Sequence, residues 1–60
     1  MTLEIEEINE RLGYVSVVDT NTKKTYFSQG EEGAEDIDYI NEHGEEAFLD
    51  FLASSGYFEE

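Results

Sequence analysis

Residues 35 to 41 read Glu-Asp-Ile-Asp-Tyr-Ile-Asn, a stretch that sets carboxylates directly beside apolar side chains. Asp36 and Asp38 alternate with Ile37, Tyr39 and Ile40, and Glu31, Glu32 and Glu35 lead into them. Carboxylates in such a setting have three chemical uses. They hold calcium, they move protons as an acid–base pair, or they accept hydrogen bonds from the groups with which another protein grips phosphate. Calcium fails on spacing. With Asp36 at loop position 1, Asn41 stands where glycine is required and Ala47 where a glutamate is required; with Asp19 there, Lys23 and Lys24 fall at positions 5 and 6. Proton transfer needs a substrate pocket, for which a chain of 60 residues leaves little room. His43 is the only histidine, there is no cysteine, and Ser54 and Ser55 have no base placed beside them. His43 precedes Gly44 at an expected helix end, where it complements the helix dipole. No enzyme, metal or cofactor is expected.

The third use remains. It makes Glu31, Glu32, Glu35, Asp36, Ile37, Asp38, Tyr39, Ile40 and Asn41 an interaction patch. In it the carboxylates meet a partner's phosphate-binding groups and the apolar residues receive a protruding side chain. The competing reading makes Ile37 and Ile40 ordinary core and Tyr39 a boundary residue.

Charge supports a patch more than an average. There are 16 acidic and 3 basic residues, for a net charge of -13. Arg11, Lys23 and Lys24 are too few to hold a nucleic acid, and an anionic membrane repels such a chain. Area scaling gives an accessible surface of about 4,000 Å², or one net charge per roughly 300 Å². Duplex DNA carries one per ~1.7 Å of axis, on the order of 100 Å² of its wall. The average surface is too dilute to imitate DNA. A ridge over residues 31 to 46 comes closer, because 8 acids fall there and no Lys or Arg follows residue 24. Acidity by itself often serves only solubility. Here, however, the acids forgo helical i, i+4 pairing with basic residues and crowd like charges onto a small domain.

The elements that must position the patch follow from periodicity. The fold class expected is α+β in a single domain over residues 1–60: an antiparallel β-hairpin packed against short acidic helices. The hairpin covers residues 14–28, with a polar turn at Asp19-Thr20-Asn21-Thr22. Val15 and Val17 share one face, and Tyr14, Ser16 and Val18 the other. On the return strand Tyr26 is the inward aromatic, with Phe27 competing for the role. In residues 2–12, Ile5, Ile8 and Leu12 favour a helix stopped by Gly13; the rival is a strand, from the alternation of Leu3 and Ile5. Residues 29–33 read as a loop and residues 34–53 as helical, broken at Gly44. Residues 54–60 form a tail, where Tyr57 and Phe58 are out of place unless they dock. A hairpin alone is marginal, which points to pairing between subunits, so a homodimer is expected; a third strand from the N-terminal segment or from a partner chain is the option for extending the sheet. No basic, apolar leader opens the sequence, and the expected compartment is the cytoplasm.

Residues 13 to 49 resemble the small uracil-DNA glycosylase inhibitors of phi29-type bacteriophages. The matching residues are Val15, Val17, Asp19, Lys23 and Tyr26, then Asp36, Ile37, Asp38 and Ile40, then Glu46, Phe48 and Leu49. The segment before Gly13 has no counterpart, and residues 45–52 are more helical than the matching element. The resemblance implies a homodimeric DNA mimic acting in a host cytoplasm. It would occupy the DNA-binding groove of uracil-DNA glycosylase, with acids where target phosphates lie and an apolar pocket for the leucine that the enzyme inserts into DNA. Asp38 would be its key carboxylate, in a contact helix with Asp36, Ile37 and Ile40. Another basic DNA-binding protein as target, from restriction, CRISPR or nucleoid systems, and a small acidic adaptor presenting Phe48, Phe51, Tyr57 and Phe58 are the alternatives.

Overall fold

A computed structural model of the chain describes residues 2 to 58. Three antiparallel strands, β1 (Leu3–Asn9), β2 (Tyr14–Asp19) and β3 (Thr25–Ser28), form one sheet in the order β1-β2-β3. Helices α1 (Gly30–His43) and α2 (Glu45–Ser54) follow. The layout is α+β, as expected.

The N-terminal segment is the third strand, and this corrects the helix favoured for it. The reason lies at Glu6. The β1–β2 register runs Leu3–Asp19, Glu4–Val18, Ile5–Val17, then jumps to Glu7–Ser16 and Ile8–Val15. The extra residue is a bulge, which interrupts the two-residue alternation of a strand. Ile5 and Ile8 therefore face the same way although three residues apart, a spacing that imitates one turn of helix. Leu12, the third member of the supposed stripe, is 68% exposed in the turn. Gly13 closes that turn at φ 65 rather than ending a helix.

The hairpin of residues 14–28 forms as expected. Asp19 organises its turn: its Oδ1 accepts from the Asn21 N–H at 2.9 Å, and its carbonyl accepts from the Lys23 N–H at 2.7 Å. The β2–β3 register pairs Val15 with Ser28, Ser16 with Phe27, Val17 with Tyr26 and Val18 with Thr25. One face of the sheet thus presents Ile5, Ile8, Val15, Val17, Tyr26 and Ser28. Both helices cover it, and Ile37, Ile40, Phe48, Leu52 and Phe58 join Val15 and Val17 in one buried cluster. The other face carries Glu4, Glu7, Ser16, Val18, Thr25 and Phe27; Phe27 is 61% exposed there, so Tyr26 is the inward aromatic.

Helix α1 begins at Gly30, four residues before the expected start, so of residues 29–33, expected as a loop, only the extended N-cap Gln29 lies outside the helix. Gly33 is present for packing rather than for turning: a Cβ built on it would lie 1.6 Å from the Gly13 carbonyl oxygen. The absence of a side chain lets the first turn of α1 rest directly on the β1–β2 turn. Gly44 separates the helices, its N–H donating to the Ile40 carbonyl at 2.7 Å. In the tail Phe58 is buried in the core, while Tyr57 packs edge-on against Tyr26 at 5.3 Å and accepts Lys24 Nζ at its carbonyl at 2.6 Å. Among the described residues, no helix is long and apolar enough to cross a membrane.

Candidate functional site

Helix α1 sorts its residues into rows with steps of four, three and four, because the α-helical repeat returns a side chain to the same face at that interval. Gly33, Ile37 and Ile40 form the row against the sheet, and all three are buried. Glu32, Asp36, Tyr39 and His43 form the flank. Glu31, Glu35, Asp38 and Glu42 form the solvent row, and all four are exposed.

The nine residues of the expected patch therefore separate by row. Glu31, Glu32, Glu35, Asp38 and Asn41 are on the surface. Ile37 and Ile40 are 6% and 9% exposed in the core against Val15, Val17 and Phe48. They cannot receive a partner's side chain without opening the molecule, so the apolar part of the patch is corrected to core. Tyr39 is half-buried in the seam between the helices, stacked on Phe51 with ring centroids 5.4 Å apart and near Phe48 at 6.1 Å.

Asp36 is half-buried and already engaged. Its Oδ2 accepts the Tyr26 hydroxyl and the Ser28 hydroxyl, each at 2.6 Å. This clamp ties α1 to β3 and fixes the rotation of the helix, so it determines which row faces water. Burial pushes the Tyr26 hydroxyl up to about 12, and its bond to Asp36 adds to the shift. At the other end of β3, the hydrogen bond from the Asn21 backbone holds the Asp19 carboxyl below its usual range. Asp36 therefore positions the acidic row rather than belonging to it.

The solvent row extends past the expected patch. Glu42 continues it on α1, and Glu45 and Glu46 follow in the first turn of α2. Extending the same repeat beyond Asn41 would have found Glu42 from sequence. Over the eleven residue steps from Glu31 to Glu42 the helix advances about 16 Å, which puts one carboxylate at every ~5.5 Å of axis. Neither helix contains Lys or Arg to neutralise them. A separate groove of about 300 Å³ lies between the start of β1 and α2, lined by Thr2, Leu3, Glu46, Leu49, Asp50 and Ala53. Among the described residues, no three His, Asp or Glu side chains converge to hold a metal ion.

No family model, curated protein or solved structure matches the chain. Its function is read from its own surface. Of the residues that carry the resemblance to the phage inhibitors, Val15, Val17, Ile37, Ile40 and Phe48 are core, Asp19 shapes a turn, and Tyr26 and Asp36 form the clamp. Asp38 alone among the implied contact-helix residues is fully on the surface.

Proposed function

We propose that this protein is a DNA mimic that occupies the DNA-binding groove of a basic protein, and that its target is uracil-DNA glycosylase. The observation that carries the reading is the solvent row Glu31, Glu35, Asp38 and Glu42, aligned on one helix and free of basic residues. Local density matters because average density fails. One strand of duplex DNA carries a phosphate per ~3.4 Å of axis, and the row carries a carboxylate per ~5.5 Å, within a factor of two. A groove built to hold a phosphate strand with Arg, Lys and backbone N–H groups offers the same donors to such a row. Asp38, near the centre of the row, is the carboxylate with most to contribute.

The choice of glycosylase rests on the resemblance over residues 13 to 49. Because Ile37 and Ile40 lie in the core, the row itself suits any groove that holds a DNA strand, and a restriction, CRISPR or nucleoid protein is the second reading. Uracil release from DNA by the glycosylase separates the two. Falling release as the protein is added, with weaker inhibition by Asp38→Lys and at higher salt, supports the first. Undiminished release at excess protein excludes it. The protein acts in the cytoplasm of a host cell and contacts neither nucleic acid nor membrane itself.

A further inference from the structure

Helix α2 buries Phe48 and Leu52 in the core. Beside that buried row, Glu46, Leu49, Asp50 and Ala53 recur at steps of three and four residues, so they share one side of the helix. That side faces Thr2 and Leu3 across the groove of about 300 Å³. The opposite wall is pinned to the sheet, because the Thr2 carbonyl accepts the Thr20 N–H at 2.8 Å and the Thr20 hydroxyl at 3.3 Å. Leu3, Leu49 and Ala53 are half-buried, whereas Glu46 and Asp50 are exposed, which gives the groove an apolar floor and an acidic rim. The two acids stand four residues apart on one helix, with Cβ atoms about 5–6 Å apart. No basic side chain lines the groove with them. Arg11 lies in the turn at the opposite end of β1, Lys23 in the β2–β3 turn, and Lys24 donates its Nζ to the Tyr57 carbonyl at 2.6 Å.

We propose that this groove receives an arginine side chain projected by a partner protein. Charge complementarity calls for a cation, and the apolar floor calls for one carried on a methylene stem, which packs along Leu3, Leu49 and Ala53 while its head stays at the rim. A leucine would cover the same floor but would strip water from two carboxylates and offer them nothing in return. A lysine ammonium is compact and strongly hydrated, so it meets one carboxylate as a point charge. The guanidinium is planar and more weakly hydrated, and its N–H groups point along more than one edge, so it bridges carboxylates one helical turn apart. The volume is at the lower limit of pockets that take small organic ligands, which suits one long side chain. This inference does not rest on the acidic row of α1 or on the identity of its target.

Methyl NMR of the intact chain, titrated with end-capped Gly-Arg-Gly at physiological ionic strength, tests the inference; the salt screens unspecific attraction to the acidic surface. The expected result is a saturable shift of the Leu3, Leu49 and Ala53 methyl signals. The shift should be weaker with capped Gly-Lys-Gly, weaker with free arginine, whose own carboxylate meets the acidic rim, and absent with capped Gly-Leu-Gly. Glu46→Gln combined with Asp50→Asn should weaken arginine binding on the order of tenfold. Ala53→Leu fills the floor and leaves every charge in place, and it should weaken binding too. Neutralising Glu31, Glu35, Asp38 and Glu42 on α1 should leave the groove shifts unchanged, so the groove and the acidic row are tested apart. Arginine shifts that persist in the Glu46→Gln, Asp50→Asn protein overturn the inference. So does a leucine peptide that binds as tightly as the arginine peptide, free arginine that binds more tightly than either, or no shift at the highest soluble peptide concentration.

Discussion

The carboxylate of Asp36 accepts two hydroxyl hydrogen bonds at 2.6 Å, and the orientation of the whole acidic row depends on it. Removing a charged acceptor leaves two donors without a partner, so Asp36→Ala should lower stability by about 2–3 kcal/mol, measured by urea denaturation. The same contact has a spectroscopic signature. Among the four tyrosines, Tyr26 should ionise late, near pH 12, in a tyrosinate absorbance titration. Asp36→Asn should bring that titration to lower pH. The folded state raises the pKa of Tyr26 from 10.0, so its contribution to stability is complete below about pH 10 and is lost as the pH rises toward 12. The residues at this site were legible as a group and not by role. Glu-Asp-Ile-Asp-Tyr-Ile-Asn shows that acids and apolar side chains share a helix, but the rotation of that helix is set by Tyr26 and Ser28, eight to ten residues away in sequence. Only a known strand register could separate Asp36, which clamps, from Asp38, which faces water.

At the scale of elements, the hairpin and the break at Gly44 were plain because each depends on local chemistry: β-branched runs around an Asp-Thr-Asn-Thr turn, and a glycine between two apolar stripes. The two errors, at β1 and at the start of α1, have non-local causes. Strand β1 reads as helix because a bulge restores a three-residue spacing between inward isoleucines. The first turn of α1 reads as loop because Gly33 and Gly30 resemble turn residues, whereas Gly33 is required by the Gly13 carbonyl against it. That carbonyl is backbone and cannot move aside as a side chain tip would. Gly33→Ala should therefore destabilise by about 3 kcal/mol or more and loosen α1 from the hairpin, as read by thermal unfolding and by faster exchange of the α1 amides. The tail belongs to the fold as well. Phe58 is 2% exposed in the core cluster, and Phe58→Ala should cost about 3–5 kcal/mol in the same unfolding measurement. Two aromatics close to the end of the sequence were the signal for that docking, although only Phe58 is inserted.

Across the whole molecule, 13 net negative charges on 4137 Å² of surface correspond to roughly 320 Å² each, close to the area expected from size alone. Their arrangement matters more than their number. Arg11 lies in the β1–β2 turn and Lys23 and Lys24 lie in the β2–β3 turn, so the basic residues sit at the two tips of the sheet. The solvent side of α1 is left to Glu31, Glu35, Asp38 and Glu42. These side chains are exposed, and neutralising them relieves like-charge repulsion, so the fold should survive their replacement. That makes the row separable from the fold in one experiment: inhibition of uracil-DNA glycosylase, titrated with the unaltered protein and with the variant Glu31→Gln, Glu35→Gln, Asp38→Asn, Glu42→Gln. The unaltered protein should suppress uracil release, and the folded variant should inhibit more weakly by about a hundredfold or more. Uracil release that continues undiminished at excess unaltered protein would contradict the glycosylase as the target, and inhibition that the four neutral side chains leave intact would contradict the assignment of the acidic row as a substitute for DNA.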